Sequence, residues 1–218
     1  MLVGHFAVGF VAKRAAPQVS LGTLVMAAML ADLLWAVFMI AGIEHVQFTS
    51  GRGAANYIAS FDAAFSHSLL MDVVWGALFA AVYYWKRQNR QGGWILFAAV
   101  VSHWPLDVIS SRPLMPLAPG LPIRMGLGLW TSILATIIVE GGFWVLGLIL
   151  YLRATSSKNR ASVFLFWIVA GFLTLAWYNN IAGPPPPDPR TAPIASLVFF
   201  SLLVGWGYWM NRLRPART

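Results

Sequence analysis

His103 and Asp107 stand four residues apart in WILFAAVVSHWPLDVIS, residues 94–110, a stretch otherwise apolar except for two serines. On a helix, positions i and i+4 share a face, so this imidazole and this carboxylate can hold one metal ion or exchange one proton. Asp32, His67, Asp72 and Glu140 lie in comparably apolar surroundings, and His5 sits in the opening MLVGHFAVGFVA. A carboxylate at the centre of a bilayer costs roughly 2.5–3.5 kcal/mol on insertion scales. Four unpaired acids would cost roughly 10 kcal/mol, about the whole stability of an ordinary fold. They must meet one another, a metal or water.

The residue types narrow the chemistry. Three imidazoles (His5, His67, His103) and two carboxylates (Asp32, Asp107), in a chain without cysteine, form a donor set suited to zinc and also to manganese or iron. Glu140 or Asp72 could serve as general base. Ordinary roles stand beside these. His5 could be an interfacial histidine, and Glu140 could pair with an arginine. His45, after Glu44, reads as exposed to solvent. Asp62 reads as the N-cap of a helix. Asp72 lies five residues after His67, about 140° around a helix, and reads equally as a supporting or proton-relay group. Ser66 and Ser102 each precede a histidine and would bond to backbone or orient the rings. Pro105, inside the His103–Asp107 interval, frees the Val101 carbonyl and kinks the helix.

These side chains need apolar elements to carry them. A spanning helix takes about 20 apolar residues, and six stretches qualify: roughly 19–42, 61–85, 93–112, 127–152, 161–181 and 192–213. MLVGHFAVGFVA is too short to span. It reads as an inserted half-helix, with a helix lying on the membrane surface as the alternative. At 1.5 Å per residue His5 lies about 12 Å above Lys13, near the level of His103, Asp32 and Glu140, with Asp107 and His67 further outward. A single polar layer is therefore allowed. The last two stretches carry no acid and no histidine and read as scaffold. Residues 1–152 form the expected site-bearing core, and 153–218 add two helices and a basic tail. PPPPDPR, 184–190, reads as a stiff polyproline II spacer.

The alternate links hold Lys13, Arg14, Lys86, Arg87, Arg90, Arg153, Lys158, Arg160, Arg212, Arg214 and Arg217. The other links hold only Arg52, Arg112, Arg124 and Arg190. The positive-inside rule then predicts both termini in the cytoplasm. Tryptophans near helix ends suit an interfacial belt.

Composition excludes the competing classes. Of 218 residues, 59 % are hydrophobic and 10 % charged, and the mean hydropathy is +0.69. This is an all-α, polytopic membrane bundle of about six transmembrane helices plus a short N-terminal half-helix. The net charge of +8 is spread over short links that suit lipid headgroups; nucleic acid is not an expected partner. The absence of cysteine removes disulfides and thiolate sites. Lys13 and Arg14 follow the first apolar stretch instead of preceding it, so no cleavable signal peptide is expected.

The segments GHFAVGFVAKRAAP, LADLLW, SHSLLMDVVWG, SHWPLD and RPLMPLAPG resemble the predicted membrane-bound metal-dependent hydrolases of bacteria, over roughly residues 1–152. The order of motif residues is similar to that of the zinc-dependent phospholipase C and P1 nuclease group. In that group an Asp, a His and the His and Asp of an HxxxD pair share a zinc ion. The resemblance implies Asp32, His67, His103 and Asp107 as zinc ligands, with His5 as a further family histidine. The chain has four histidines and no HxxxE pair, and Ser110, Ser111 and Leu114 stand near the Arg-Pro turn where related sequences carry extra His or Asp. A mononuclear or lean dinuclear site is implied.

The leading expectation is an inner-membrane, metal-dependent hydrolase of a lipid-derived ester or phosphoester. Zinc would activate water, Glu140 or Asp72 would act as base, and Arg112 and Arg124 would hold a phosphate. A transporter using intramembrane acids and histidines as a proton relay and a non-catalytic membrane scaffold are the competing expectations.

Overall fold

The structure is a computed structural model that describes residues 1–48, 55, 58–184 and 191–217. Residues 185–190 of the predicted polyproline spacer lie outside the described residues, as does Arg52. Among the described residues, five helical stretches are long and apolar enough to cross a membrane, or six if a bent pair is one span. The protein is a helical membrane bundle.

Helix α1 (Leu2–Ala15) is the expected half-helix, and it packs inside the bundle instead of lying on a surface. His5, Phe6, Phe10 and Lys13 are all buried. Its neighbour is α7 (Ile133–Ala154). The two run side by side in the same direction, with Ala7 against Gly147 and Phe10 against Tyr151. A Cβ on Gly147 would stand 2.7 Å from the Ala7 Cβ, so the missing side chain permits the close approach. Phe10, Trp144 and Tyr151 then stack, and Tyr151 stacks on Phe166 of α8 (Arg160–Ala182). Lys13 donates to the carbonyls of Pro17 and Val19 and to Oδ1 of Asn211 on α9 (Ala192–Leu213). Its charge is thereby accommodated despite burial.

The predicted span 19–42 is broken. It forms α2 (Leu21–Ala28) and α3 (Leu30–Ile40), bent by 59° at Met29. No Pro or Gly marks the break in the sequence. α9 packs against both segments, meeting α2 most closely at Gly22, where a Cβ on Gly207 would stand 2.9 Å from the Gly22 Cα. The helices read as scaffold thus include the element that supports the bend.

The span predicted at 61–85 starts later, as α4 (Leu69–Arg87), capped by Ser68, whose side chain accepts from the Met71 N–H. Asp62 is therefore not an N-cap. It ends strand β2 (Ile58–Asp62), which pairs antiparallel with β1 (His45–Phe48). His67 lies in the turn between β2 and α4, not in the helix. The span at 93–112 forms α5 (Arg90–Val101) and α6 (His103–Ser110), interrupted at Ser102. A second small hairpin, β3 (Met115–Pro116) with β4 (Arg124–Met125), and a 3-10 turn at Leu129–Thr131 precede α7.

The basic links collect at one end of the bundle. Gln91 donates to the Ala15 carbonyl and Thr155 bridges Ala216 there, while Trp85 and Trp94 are left widely exposed beside them. The two hairpins close the other end. Gly147→Leu should overpack the α1–α7 contact by about 1–3 kcal/mol. The expected result is a thermal midpoint in detergent lowered by several degrees; an unchanged midpoint would show that α1 does not seat on α7.

Candidate metal centre

Five residues from four elements meet at one buried point. Asp32 lies in the first turn of α3, His67 in the turn before α4, His103 and Asp107 on one face of α6, and His5 on α1. The His67 Nε2 is 3.5 Å from Asp32 Oδ1 and 3.9 Å from Asp107 Oδ2. The His103 Nε2 is 3.9 Å from Asp32 Oδ1 and 3.4 Å from Asp107 Oδ2. These separations exceed an ordinary hydrogen bond of about 2.7–3.2 Å. They suit four atoms that share a neighbour, because tetrahedral ligands at about 2.0–2.1 Å from zinc stand roughly 3.3 Å apart. The His103 Nε2 is also buried without a hydrogen-bond partner. The donor set and this orphaned nitrogen fit a divalent cation.

The ring nitrogens facing away define the tautomers. The His103 Nδ1 lies 3.0 Å from the Ala28 carbonyl oxygen, which can only accept, so Nδ1–H donates and, in the neutral ring that metal ligation requires, Nε2 is left bare. That carbonyl is available because the chain bends at Met29 immediately after it. The His67 Nδ1 lies 2.7 Å from Ser66 Oγ, and Ser66 donates at 2.6 Å to Glu44 Oε2. The His67 Nδ1–H therefore donates to Ser66, and its Nε2 also faces the centre with a free lone pair. Glu44 is almost fully buried and accepts further from the backbone N–H groups of Phe65 and Ser66 through Oε1. Such chains from histidine to carboxylate orient metal ligands and raise their basicity. Phe61 covers His67 edge-on at 5.0 Å.

His5 approaches from the other side. Its Nε2 lies 3.0 Å from Asp107 Oδ1, not Oδ2, and its ring stacks on His103 at 3.7 Å. The α-amino group of Met1 lies 2.5 Å from the same Oδ1. Asp107 thus faces His67 and His103 with one oxygen and His5 with the other. His5, His103 and Asp107 form a second group whose ligand atoms lie within 4.8 Å of one another.

The two residues expected as bases lie at helix N-termini. Asp72 is wholly buried, and its Oδ2 accepts from the Trp104 N–H at 3.1 Å. That N–H belongs to the first turn of α6, which has no intrahelical acceptor. Glu140 on α7 faces the Gly4 backbone N–H in the first turn of α1, together with the indoles of Trp130 and Trp177. A carboxylate complements the positive end of a helix dipole, and each of these helices carries histidines of the cluster.

The arginines differ. Arg124 donates to the carbonyls of Phe61 and Leu114, tying the second hairpin to β2. Arg112 is exposed. His45 is exposed, as expected, and Ser102 bonds to the Ala99 carbonyl, not to a ring.

Glu44 was missed from sequence. It sits in a polar loop beside His45, and no spacing rule connects it to Ser66; the Ser-His dipeptide was the available signal. Ser66→Ala should weaken divalent-metal affinity by about 10–100-fold, read by chelator competition, while His45→Ala leaves it unchanged. Equal affinities for wild type and Ser66→Ala would remove Glu44 and Ser66 from the centre.

Comparison with curated proteins and with solved structures gives no match. The family model described as YdjM inner membrane protein matches residues 1–182, from the half-helix through the end of α8. With the half-helix, the bent pair, every span but α9 and the buried polar centre inside that range, the chain belongs to the YdjM inner membrane protein family of bacteria.

Proposed function

We propose that the protein is an integral membrane, metal-dependent hydrolase acting on a lipid-derived ester or phosphoester. The observation that carries this reading is the bare, buried His103 Nε2, held with His67 Nε2 between the carboxylates of Asp32 and Asp107 at 3.4–3.9 Å. Asp32, His67, His103 and Asp107 would hold the ion, with zinc the first candidate and manganese or iron the alternatives. A divalent cation there would supply Lewis-acid activation of water and of the scissile bond.

The chain's own groups have separate tasks. Glu44 and Ser66 hold the His67 ring, and Ala28 holds the His103 ring. His5 and Asp107 fix one another across α1 and α6. Asp72 is the candidate proton acceptor: its Oδ2 is engaged by Trp104, but its Oδ1 is buried without a partner and within electrostatic reach of His67 and His103. Glu140 serves α1 instead, by the position of its carboxyl at Gly4. Arg112, exposed in the link after α6, is the group available to a substrate phosphate, since Arg124 is occupied by backbone carbonyls. The side chain of Asp32 is 21 % exposed, so the centre opens to the surroundings of the bundle on that side. The basic end of the bundle faces the cytoplasm, so the centre lies toward the opposite side.

Elemental analysis of detergent-purified protein without added metal should find about one ion per chain. Loss of that ion in His103→Ala and reduced occupancy in Asp107→Asn are the expected companions. Wild-type protein without metal would sink the hydrolase reading. For orientation, a cysteine at Gln88 in this cysteine-free chain should resist an impermeant thiol reagent added to intact cells; ready labelling would invert the topology.

A further inference from the structure

An apolar groove of about 380 Å³ runs along α1 between α5 and α7. This volume falls in the roughly 300–1,000 Å³ range of small-molecule sites. Its walls present almost no polar surface. Small side chains make it. Ala7, Ala12 and Ala15 on α1 face Ala98 and Ala99 on α5, while Leu146 forms part of the α7 wall. Val11, Ala98 and Leu146 are each exposed, so the groove opens sideways, toward the surroundings of a bundle that lies in a membrane.

Position and length identify an occupant. From Gly4 to Ala15 the groove follows α1 for about 16 Å, close to the roughly 15 Å of one hydrocarbon leaflet. Its Gly4 end is the end nearest the metal centre: the lining residues Gly4 and Leu106 are the chain neighbours of His5 and Asp107, which do not themselves line the groove. Glu140, opposite Gly4, lies about 10 Å along α7 from Ile133 and about 21 Å from Ala154. The centre therefore lies nearer the hairpin end, and the groove descends from it toward the basic end. A water-soluble substrate would gain nothing from such a trough, whereas a methylene chain loses no hydration on entering it from lipid and gains packing contacts.

We infer that this groove seats one acyl chain of a membrane lipid, with the lipid's ester or phosphoester beside His5 and Asp107. The inference rests on the hydrolase reading and adds where its lipid sits: cleaved while its tail stays in the membrane, drawn laterally between α5 and α7.

The test uses the full chain in nanodiscs of phosphatidylethanolamine and phosphatidylglycerol, doped with a phospholipid that carries a photoactivatable diazirine within one acyl chain. Crosslinks should concentrate on Val11, Ala98 and Leu146 over Leu175 and Leu202, which are more exposed (70 % and 69 %) but lie on α8 and α9. Ala98→Phe, and independently Leu146→Trp, should abolish the groove crosslinks while metal content stays at the wild-type level. Crosslinks spread evenly over all five positions, or persisting in both variants, would overturn the acyl-chain site and leave the metal centre standing. Groove crosslinks in protein that holds no metal would instead overturn the groove's role as a substrate seat, through failure of the hydrolase reading.

Discussion

Two carboxylates, Asp32 and Asp107, must be held inside an apolar bundle, and much of the architecture around them answers that requirement. Neither is neutralised by a lysine or arginine side chain among the described residues. Asp107 Oδ1 is met directly by the Met1 α-amino group and His5 Nε2, while Asp32 Oδ1 and Asp107 Oδ2 face the Nε2 atoms of His67 and His103 at separations too long for direct hydrogen bonds and well suited to a shared ion. Leaving one such charge unpaired in low dielectric would cost several kcal/mol. The residues brought together come from α1, α3, α6 and the turn before α4, so this constraint ties the N-terminal half of the chain into one unit.

The interruptions in the helices are the means by which the centre is held. A continuous span at 19–42 would bury the Ala28 carbonyl in its own hydrogen-bond ladder; the 59° bend at Met29 releases it to hold His103. The interruption at Ser102 likewise releases the Trp104 N–H to Asp72. Backbone groups without partners are intolerable in lipid, and here they are spent on orienting the cluster. The acids Asp72 and Glu140 complete the arrangement at the starts of α6 and α1, where helix dipoles favour negative charge.

Close helix contact sets the geometry of the rest. Gly147 lets α1 lie against α7, which brings His5 to Asp107. Gly22 and Gly207 let α9 lie across the bent pair, which presents Asp32. On the remaining side of α1, small residues meet small residues of α5 without closing the gap. The groove is what that incomplete packing leaves.

The spans at 160–182 and 192–213 were legible within a residue or two, and that at 133–154 except for its start, expected at 127, because a long apolar run in a chain of this hydropathy has few alternatives to a membrane helix. The clustered residues were legible too: an Asp or His in an apolar run is costly enough to announce itself. Composition and local pattern therefore determined the membrane class and which residues must find partners. They did not determine where each residue sits. His67 was expected in a helix and lies in a turn, because Ser68 rather than Asp62 caps α4. The bend at Met29 has no local signal: no Pro or Gly stands there, and both of its segments are packed against the distant α9. Glu44 joins His67 through Ser66 across more than twenty residues, and Asp72 meets the backbone at the start of α6, far from it in the sequence. Tertiary structure decided these matters, because direction, tautomer and pairing depend on which distant backbone groups are left free, and hydropathy does not encode that.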